Sequence, residues 1–141
     1  MNLIGTLDVN ASGLTAQRKR VEIASSNLAN SQTTRTAEGG PYRRKDVVFQ
    51  TSSFQNSLGA AMDEGVQGVE VSAVVEDPSP FDRRYQPGHP DADAEGYVSY
   101  PNVNVMEEMA NLILASRSYE ANLAAINVAK TMINRTLDIG R

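Results

Sequence analysis

The acidic stretch "DADAEGYVSYPN", which begins at Asp91, has the spacing of a calcium-binding loop. Asp91, Asp93 and Glu95 stand at alternate positions and Gly96 is sixth, as in an EF-hand, where such carboxylates ligate the ion. The twelfth position, which requires a bidentate Glu, holds Asn102, and prolines interrupt both flanks. We therefore expect a hydrogen-bonded acidic turn, and a small calcium-binding module remains the alternative.

The only histidine, His89, lies in "PGHP" and has no second histidine or cysteine with which to hold zinc. The sequence also contains no nucleophile elbow and no glycine-rich phosphate loop. We therefore expect His89 to be bonded in a turn. The chain is predicted to be no enzyme, with no cofactor, no bound metal and no small-molecule substrate.

The basic residues fall into three short clusters. They are Arg18-Lys19-Arg20, Arg43-Arg44-Lys45 and Arg83-Arg84. Few aromatic residues stand among them, and the net charge of −4 would repel nucleic acid. We expect solvated faces or salt bridges to a partner, and no nucleic-acid binding.

The N-terminus lacks the basic and apolar regions of a cleaved signal peptide, and no apolar run approaches the about 18 residues that span a bilayer. The chain has no cysteine, which excludes disulfides but permits an oxidising compartment. A soluble chain without direct membrane insertion is predicted. Export by a route that reads an uncleaved N-terminus would leave the same pattern.

The N-terminal segment has the periodicity of a long helix with a coiled-coil seam. Its seam positions are Leu3, Leu7, Asn10, Leu14, Gln17, Val21, Ala24 and Leu28. Asn30 is a suitable C-terminal stop, because Asn tolerates the left-handed conformation. Such a helix would be roughly 40 Å long.

The C-terminal segment repeats this spacing. Its seam positions are Val105, Met109, Leu112, Ser116, Tyr119, Leu123, Ile126, Lys130, Ile133 and Leu137. Asn104 can serve as the N-cap with Glu107 three residues later, and Gly140 can end the helix. Its length would be roughly 50 Å, more than the diameter of a globule of this size.

The middle of the chain, residues 36–101, is rich in proline and glycine. "KDVVFQ" and "GVEVSAVVED" have the β-branched residues of short strands, and "EDPSPFDRRYQPGHPDADAEG" is predicted to be a long ordered loop. The expected fold class is α+β. Residues 1–35 and 102–141 would form an antiparallel coiled-coil domain, and residues 36–101 a small β-rich unit.

Both predicted helices carry few charges around their seams. A helix that packs on one neighbour normally has a charged outer face, whereas these offer Ala, Ser, Asn and Thr. One interpretation is an intramolecular hairpin that forms the core of the protein. The other, which the helix lengths favour, is assembly, in which the hairpin packs against further subunits.

Four stretches of the chain resemble a known family. "ASGLTAQRKRVEIASSNLAN" and "YEANLAAINVAKTMINRTLDIG" are similar to the terminal signatures of the bacterial flagellar rod and hook axial proteins. "PYRRKDVVF" and "YQPGHPDADAEGYVSYPNVNVMEEM" resemble its proximal rod members. The resemblance covers nearly the whole chain.

The resemblance implies a structural subunit of the periplasm-spanning rod of the basal body, exported by the flagellar type III apparatus without cleavage. Its terminal helices would polymerise into a torque-transmitting shaft that also walls the export channel. The implied partners are its own copies, other rod proteins, the adaptor at the rod base and the inner-membrane (MS) ring. A cytoplasmic helical adaptor is a further alternative.

The seams and the family motifs together give the expected contact residues. The expected subunit interface comprises Leu3, Leu7, Leu14, Val21, Asn27, Leu28, Asn30, Met109, Leu112, Tyr119, Asn122, Leu123, Ile126 and Ile133. The expected loop contacts to neighbouring subunits are His89, Asp91, Asp93 and Tyr97.

Overall fold

The computed structural model describes residues 3–53 and 67–139. Within these ranges two long helices enclose four strands in the chain order, so the α+β class is confirmed. The elements are α1 Leu3–Ala29, β1 Lys45–Ser53, β2 Gln67–Glu76, β3 Asp82–Tyr85, β4 Tyr97–Tyr100 and α2 Val105–Ile139.

The helix ends follow from local side-chain chemistry. Helix α1 ends directly before Asn30, whose amide nitrogen donates to the carbonyl oxygen of Ser26 at 2.9 Å. Helix α2 is capped by Asn104, whose side-chain oxygen accepts the N–H of Met106 at 3.1 Å. Helix α1 thus ends at the predicted position and Asn104 is the N-cap of α2, while Gly140 lies outside the described residues. The 27 and 35 helical residues correspond to lengths of about 40 and 52 Å.

The two helices run antiparallel and approach closely. Asn27, near the end of α1, bonds to Glu108 at the start of α2, and Gly13 lies against Asn122 much further along α2. A Cβ atom built on Gly13 would lie 2.9 Å from the amide nitrogen of Asn122. Glycine is therefore what lets this side chain reach the backbone of α1.

The face that α2 turns inward coincides only in part with the predicted seam, of which Leu112, Ser116, Ile126 and Ile133 are half-buried. Its buried or half-buried residues recur every seven positions: Glu108, Ala115, Asn122 and Ala129. The seam residues Met109 and Leu123, each one position further along, are 45% and 44% exposed. On this inner side the carboxylate of Glu108 is bonded to Asn27 of α1 and to Arg44.

Strands β1 and β2 form an antiparallel two-stranded sheet, as their composition predicted. Lys45 lies opposite Glu76, and the register shifts once, between Val48 and Phe49. The sheet packs against α1, so the first strand begins beside the last turns of this helix.

The segment predicted as a long loop is interrupted by strand β3, which pairs antiparallel with β4. Side chains stabilise this hairpin: the ring of Tyr85 packs edge-on against Tyr97 at 5.4 Å, and Arg83 lies over the ring of Tyr97 at 5.0 Å. All four residues of β3 are exposed, so no alternation of apolar residues marks this strand in the sequence.

The interior of the described part of the chain is unusually polar. Its largest fully buried side chains are Glu108, Val98 and Asn27. Glutamate is almost never fully buried unless it is paired. Both buried polar side chains, Asn27 and Glu108, lie where α1, α2 and β1 meet.

Candidate assembly surfaces and the polar junction behind them

Asn27 satisfies its whole side-chain amide inside the chain. Its nitrogen donates to the carbonyl oxygen of Lys45 at 2.8 Å and to Glu108 at 3.2 Å. Its oxygen accepts the backbone N–H of Lys45 at 3.0 Å and the hydroxyl of Tyr42 at 2.9 Å. The amide thus pairs with both backbone groups of Lys45, as a neighbouring strand would.

The expected position of Asn27 was on the surface between subunits, but its side chain is bonded inside its own chain. The side chain is 1% exposed and is covered by its own chain. Any effect of Asn27 on assembly would act through the position of β1 relative to the helices.

Glu108, 2% exposed, is held by Arg44. The Nε atom of Arg44 donates to one oxygen of Glu108 at 2.7 Å, and Arg44 also contacts Asp46 at 3.3 Å and Asp77 at 3.5 Å. Burial works against the charge of Arg44, but the hydrogen bond and charge of Glu108, with those of Asp46, raise its pKa above the ordinary value. We call Asn27, Tyr42, Arg44 and Glu108 the polar junction.

A cleft of about 80 Å³ opens beside the polar junction. We call it the junction cleft. Its polar walls come from α1, α2, the start of β1 and the residue before it: Arg20, Asn27, Arg44, Lys45, Asp46, Glu108 and Asn111.

The acidic stretch forms a hydrogen-bonded turn, as predicted. One oxygen of Asp93 accepts the backbone N–H groups of Tyr97 and Glu95, at 2.8 and 2.9 Å, and the other accepts Arg83 at 2.7 Å. The hydrogen bond from Tyr97 chiefly, then those of Glu95 and Arg83, hold the pKa of Asp93 below its ordinary value despite some desolvation. Gly96 has a positive φ of 83° in this turn.

The remaining loop residues tie this turn to the rest of the chain. Asp91 accepts the hydroxyl of Thr34 at 2.8 Å and lies 3.7 Å from Arg35. The Nδ1 atom of His89 accepts the backbone N–H of Asp91 at 3.1 Å, and Tyr97 is 39% exposed. In residues 3–53 and 67–139 no group of three or more His, Cys, Asp or Glu side chains could hold a metal ion.

The outer side of α2 carries a long apolar surface. The exposed large hydrophobic residues of this helix are Met106, Met109, Ile113, Leu114, Tyr119, Leu123, Val128, Met132 and Leu137. We call this set the α2 outer face. Of the expected interface residues on α2, Met109, Tyr119 and Leu123 belong to this face, whereas Leu112, Asn122, Ile126 and Ile133 are half-buried.

Helix α1 presents a different exterior. Its expected interface residues Leu7, Leu14, Val21 and Leu28 form a half-buried stripe with a spacing of seven, while the side chain of Leu3 lies outside the described part. Asn30 is half-buried and bonded to its neighbours. The exposed residues in the described part of α1 are small or polar: Thr6, Asp8, Ala11, Thr15, Arg18, Glu22, Ser25 and Ala29.

Sequence reasoning missed the polar junction as a unit. From the sequence, Arg44 belongs to a basic cluster with Arg43 and Lys45, and nothing connects it with Glu108. One signal was available in the sequence. Glu108 is the only charged residue on the helix face that it shares with Ala115, Asn122 and Ala129, and a buried Glu requires a partner.

No helix among the described residues is both long enough and apolar enough to cross a membrane. The described part of the chain thus has three features that bear on assembly. They are the polar junction, the junction cleft and the α2 outer face.

Comparison with known proteins gives matches along the whole chain. The family described as "Flagella basal body rod protein" matches residues 7–35, and the family described as "Flagellar basal body rod FlgEFG protein C-terminal" matches residues 94–139. The "Flagellar basal-body rod protein FlgC" of Bacillus subtilis (strain 168) is 46% identical over 150 residues, covering 100% of both chains.

Two further relatives with the same description come from distant bacteria. The protein of Salmonella typhimurium is 44% identical over 141 residues, covering 100% of both chains. That of Borreliella burgdorferi is 43% identical over 150 residues, covering 99% of this chain and 98% of its own. The chain therefore belongs to the FlgC family of flagellar basal-body rod proteins.

Proposed function

We propose that this structural subunit of the flagellar basal-body rod joins its neighbours through the α2 outer face. The rod family is structural, and the chain is not an enzyme. The observation that carries the proposal is the apolar surface on α2. Ile113 and Leu114 are 61% and 59% exposed, and large exposed apolar side chains that cluster on one element mark interaction sites.

The arrangement of the elements supports different contacts for the helices and for the middle of the chain. Residues 1–35 and 102–141 would form the axial coiled-coil domain, and residues 36–101 a small unit that contacts neighbouring subunits through His89, Asp91, Asp93 and Tyr97. The half-buried stripe of α1 and the α2 outer face would be completed by helices of adjacent subunits. Such packing would give a shaft that transmits torque and encloses an export channel.

The remaining parts of the proposal concern location and partners. The subunit would be exported by the type III apparatus without cleavage and would assemble in the periplasm. It would contact its own copies, other rod proteins, the adaptor at the rod base and the inner-membrane (MS) ring. Family membership and a surface that suits helical partners support these parts of the proposal.

A deletion strain complemented with the gene tests the proposal. We expect basal bodies purified from the complemented strain to bind an antibody against this chain, and rods to be missing without it. The variant Ile113→Glu with Leu114→Glu should be exported but absent from basal bodies, because it places two charges in an apolar contact.

The matched control is Thr15→Glu with Ser25→Glu, on the exposed polar side of α1. Normal incorporation of the α2 variant, with loss of the α1 variant, would show that the α2 outer face is not the contact surface.

A further inference from the structure

Two serines mark the side of α1 that faces the middle of the chain. The hydroxyl oxygen of Ser12 accepts the backbone N–H of Val69 in β2 at 3.1 Å, and the hydroxyl of Ser26 lies 3.5 Å from that of Tyr42. The two serines are two heptads apart, so they lie on one side of the helix. The half-buried stripe that begins at Leu7 and recurs every seven residues is displaced from them by two positions, about 200° around the helix. It therefore lies on the side of α1 opposite the β1–β2 sheet.

Helix α2 carries a matching stripe on the same side of the helical pair. Glu108 lies on its inward line, and Asn111 lines the junction cleft beside Lys45, which marks the side of α2 towards the sheet. Leu112, four residues after Glu108, is rotated about 40° to one side of the inward line, whereas Asn111 is rotated about 60° to the other side. The stripe of Leu112 recurs every seven residues: Leu112, Tyr119, Ile126 and Ile133.

The two stripes flank the contact between the helices on the side away from the β1–β2 sheet. Two packed helices leave a groove along their line of contact, and we call this one, lined by the two stripes, the far groove. Its side chains are half-buried except Tyr119, which is 37% exposed. None of its residues is charged. The far groove therefore suits an apolar helix.

Helix α2 also carries a second heptad pattern, on its other flank. Its members are spaced alternately four and three residues apart: Leu114, Ser118, Ala121, Ala125, Val128 and Met132. We call these residues the second seam. Ser118, seven residues after Asn111, places it on the flank away from the far groove. Leu114 and Val128 are 59% and 60% exposed, and no residue of the second seam is buried. A helix with apolar stripes on both flanks is typical of one that packs between other helices.

Among the described helical surfaces, the second seam fits the far groove best. The exposed side of α1 contains Asp8, Arg18 and Glu22, and the outermost side of α2 contains the ion pair of Arg117 and Glu120. These charges would be unfavourable in an apolar groove, whereas the second seam has none. Half of its residues are serine or alanine, so its backbone can approach the larger side chains of the groove closely.

We propose that the far groove receives the second seam of an adjacent copy of this chain. The proposal rests on the proposed function, since it names the partner of α2 within the rod. The far groove and the second seam are different surfaces of one chain, so the contact is head-to-tail and each copy uses both. Contacts of this kind form rings if the rotation between copies closes and open helical assemblies if it does not. A single kind of contact would therefore suffice to add copies in succession.

Disulfide cross-linking in basal bodies from the complemented deletion strain tests the direction of the contact. The chain contains no cysteine, so Ala121→Cys is combined in turn with Leu14→Cys, Leu112→Cys, Tyr119→Cys and Ile126→Cys. We expect at least one combination to give products larger than a dimer under mild oxidation, because each copy links to two neighbours. The matched control, Ala121→Cys alone, should give no dimer. Dimers from this control would show a two-fold contact, and the absence of products from all four combinations would show that the surfaces do not meet. Either result would overturn the proposal.

A charge placed in the second seam tests the contact without cross-linking. We expect Ala121→Lys to lower incorporation into basal bodies at least about tenfold, because it puts a charge into an apolar contact. The matched control is Ala124→Lys, seven residues after Arg117, which should incorporate within about twofold of wild type. Both alanines are exposed, so circular dichroism and urea unfolding of both purified variants should match wild type and exclude a folding defect. Normal incorporation of Ala121→Lys would overturn the proposal.

Two further results separate the possible failures. If the wild-type gene does not restore rods in the deletion strain, the proposed function itself fails. If Ile113→Glu with Leu114→Glu is absent from basal bodies while Ala121→Lys is incorporated normally, the α2 outer face remains a contact surface. In that case only the pairing of the second seam with the far groove fails.

Discussion

The polar junction and the α2 outer face differ in what they bury. The junction hides a glutamate and an asparagine that are 2% and 1% exposed. The outer face, on the same helix, leaves Met106 and Ile113 74% and 61% exposed. Small proteins usually bury apolar side chains and leave charges in water.

The difference shows how the chain divides its interactions. Inside, directional hydrogen bonds hold the β unit at one position on the helices. Outside, non-directional apolar surface remains for other chains. Because internal apolar burial is modest, we expect the isolated chain to depend heavily on the junction for its tertiary structure.

The largest expected effect comes from Asn27→Asp. The change places a second carboxylate beside Glu108 and removes two donated hydrogen bonds. We expect the free energy of unfolding to fall by about 3–5 kcal/mol, because the change leaves a buried charge without a partner, and we expect incorporation to be lost. Urea unfolding measures the first and basal-body labelling the second.

Asn127→Asp, at an exposed position of α2, is the control and should change stability by less than about 0.5 kcal/mol. Normal stability and motility of the Asn27→Asp strain would show that the junction does not organise the fold.

A smaller effect is expected from Gly13→Val, which tests the closeness of the helices. The branched side chain would collide with Asn122 and separate α1 from α2, at about 1–3 kcal/mol for overpacking. Gly13→Ala should cost much less, because the nearest atom is the end of a side chain that can turn. Equal effects of both changes in thermal unfolding would place the sensitivity in the backbone of α1 instead.

In the α2 outer face, unlike in the polar junction, a substitution should leave the stability of the monomer unchanged and affect only incorporation. Replacing Ile113 with Ser removes exposed apolar surface and should shift the free energy of unfolding of the monomer by no more than about 0.5 kcal/mol. Incorporation into rods should nevertheless fall. A large loss of monomer stability would mean that Ile113 is covered within the isolated chain.

The smallest effect is a pH dependence in the β3–β4 hairpin. The pKa of Asp93 is lowered, so its contribution to stability is complete above the ordinary Asp pKa of about 3.9 and is lost as the pH falls below that value. Asp93→Asn should remove this acid-sensitive part. Amide hydrogen exchange of Tyr97 between pH 5 and 3 measures it, and an identical profile in both proteins would contradict it.

Much of the fold could be predicted from the sequence because its signals are local. Asn30 and Asn104 cap the helices through neighbouring backbone groups, and β-branched residues mark β1 and β2. Strand β3 escaped prediction because it is four residues long and exposed throughout.

Which side of α2 faces inward could not be predicted from the sequence. Glu108, on the inner side, is bonded to Arg44, which is 64 residues away in the chain. Heptad spacing alone could not distinguish the inner position of Glu108 from that of Met109. The proposed partners of the α2 outer face would belong to other chains, so no pattern within this sequence identifies them.

The contact between Gly13 and Asn122 has a mechanical consequence. Sliding one helix along the other by a single residue, about 1.5 Å, would drive Asn122 out of the gap that the glycine leaves. The hairpin therefore resists shear along its length at a point far from the polar junction. Two separated contacts, one at Gly13 and one at the polar junction, therefore oppose sliding of the two long helices past each other.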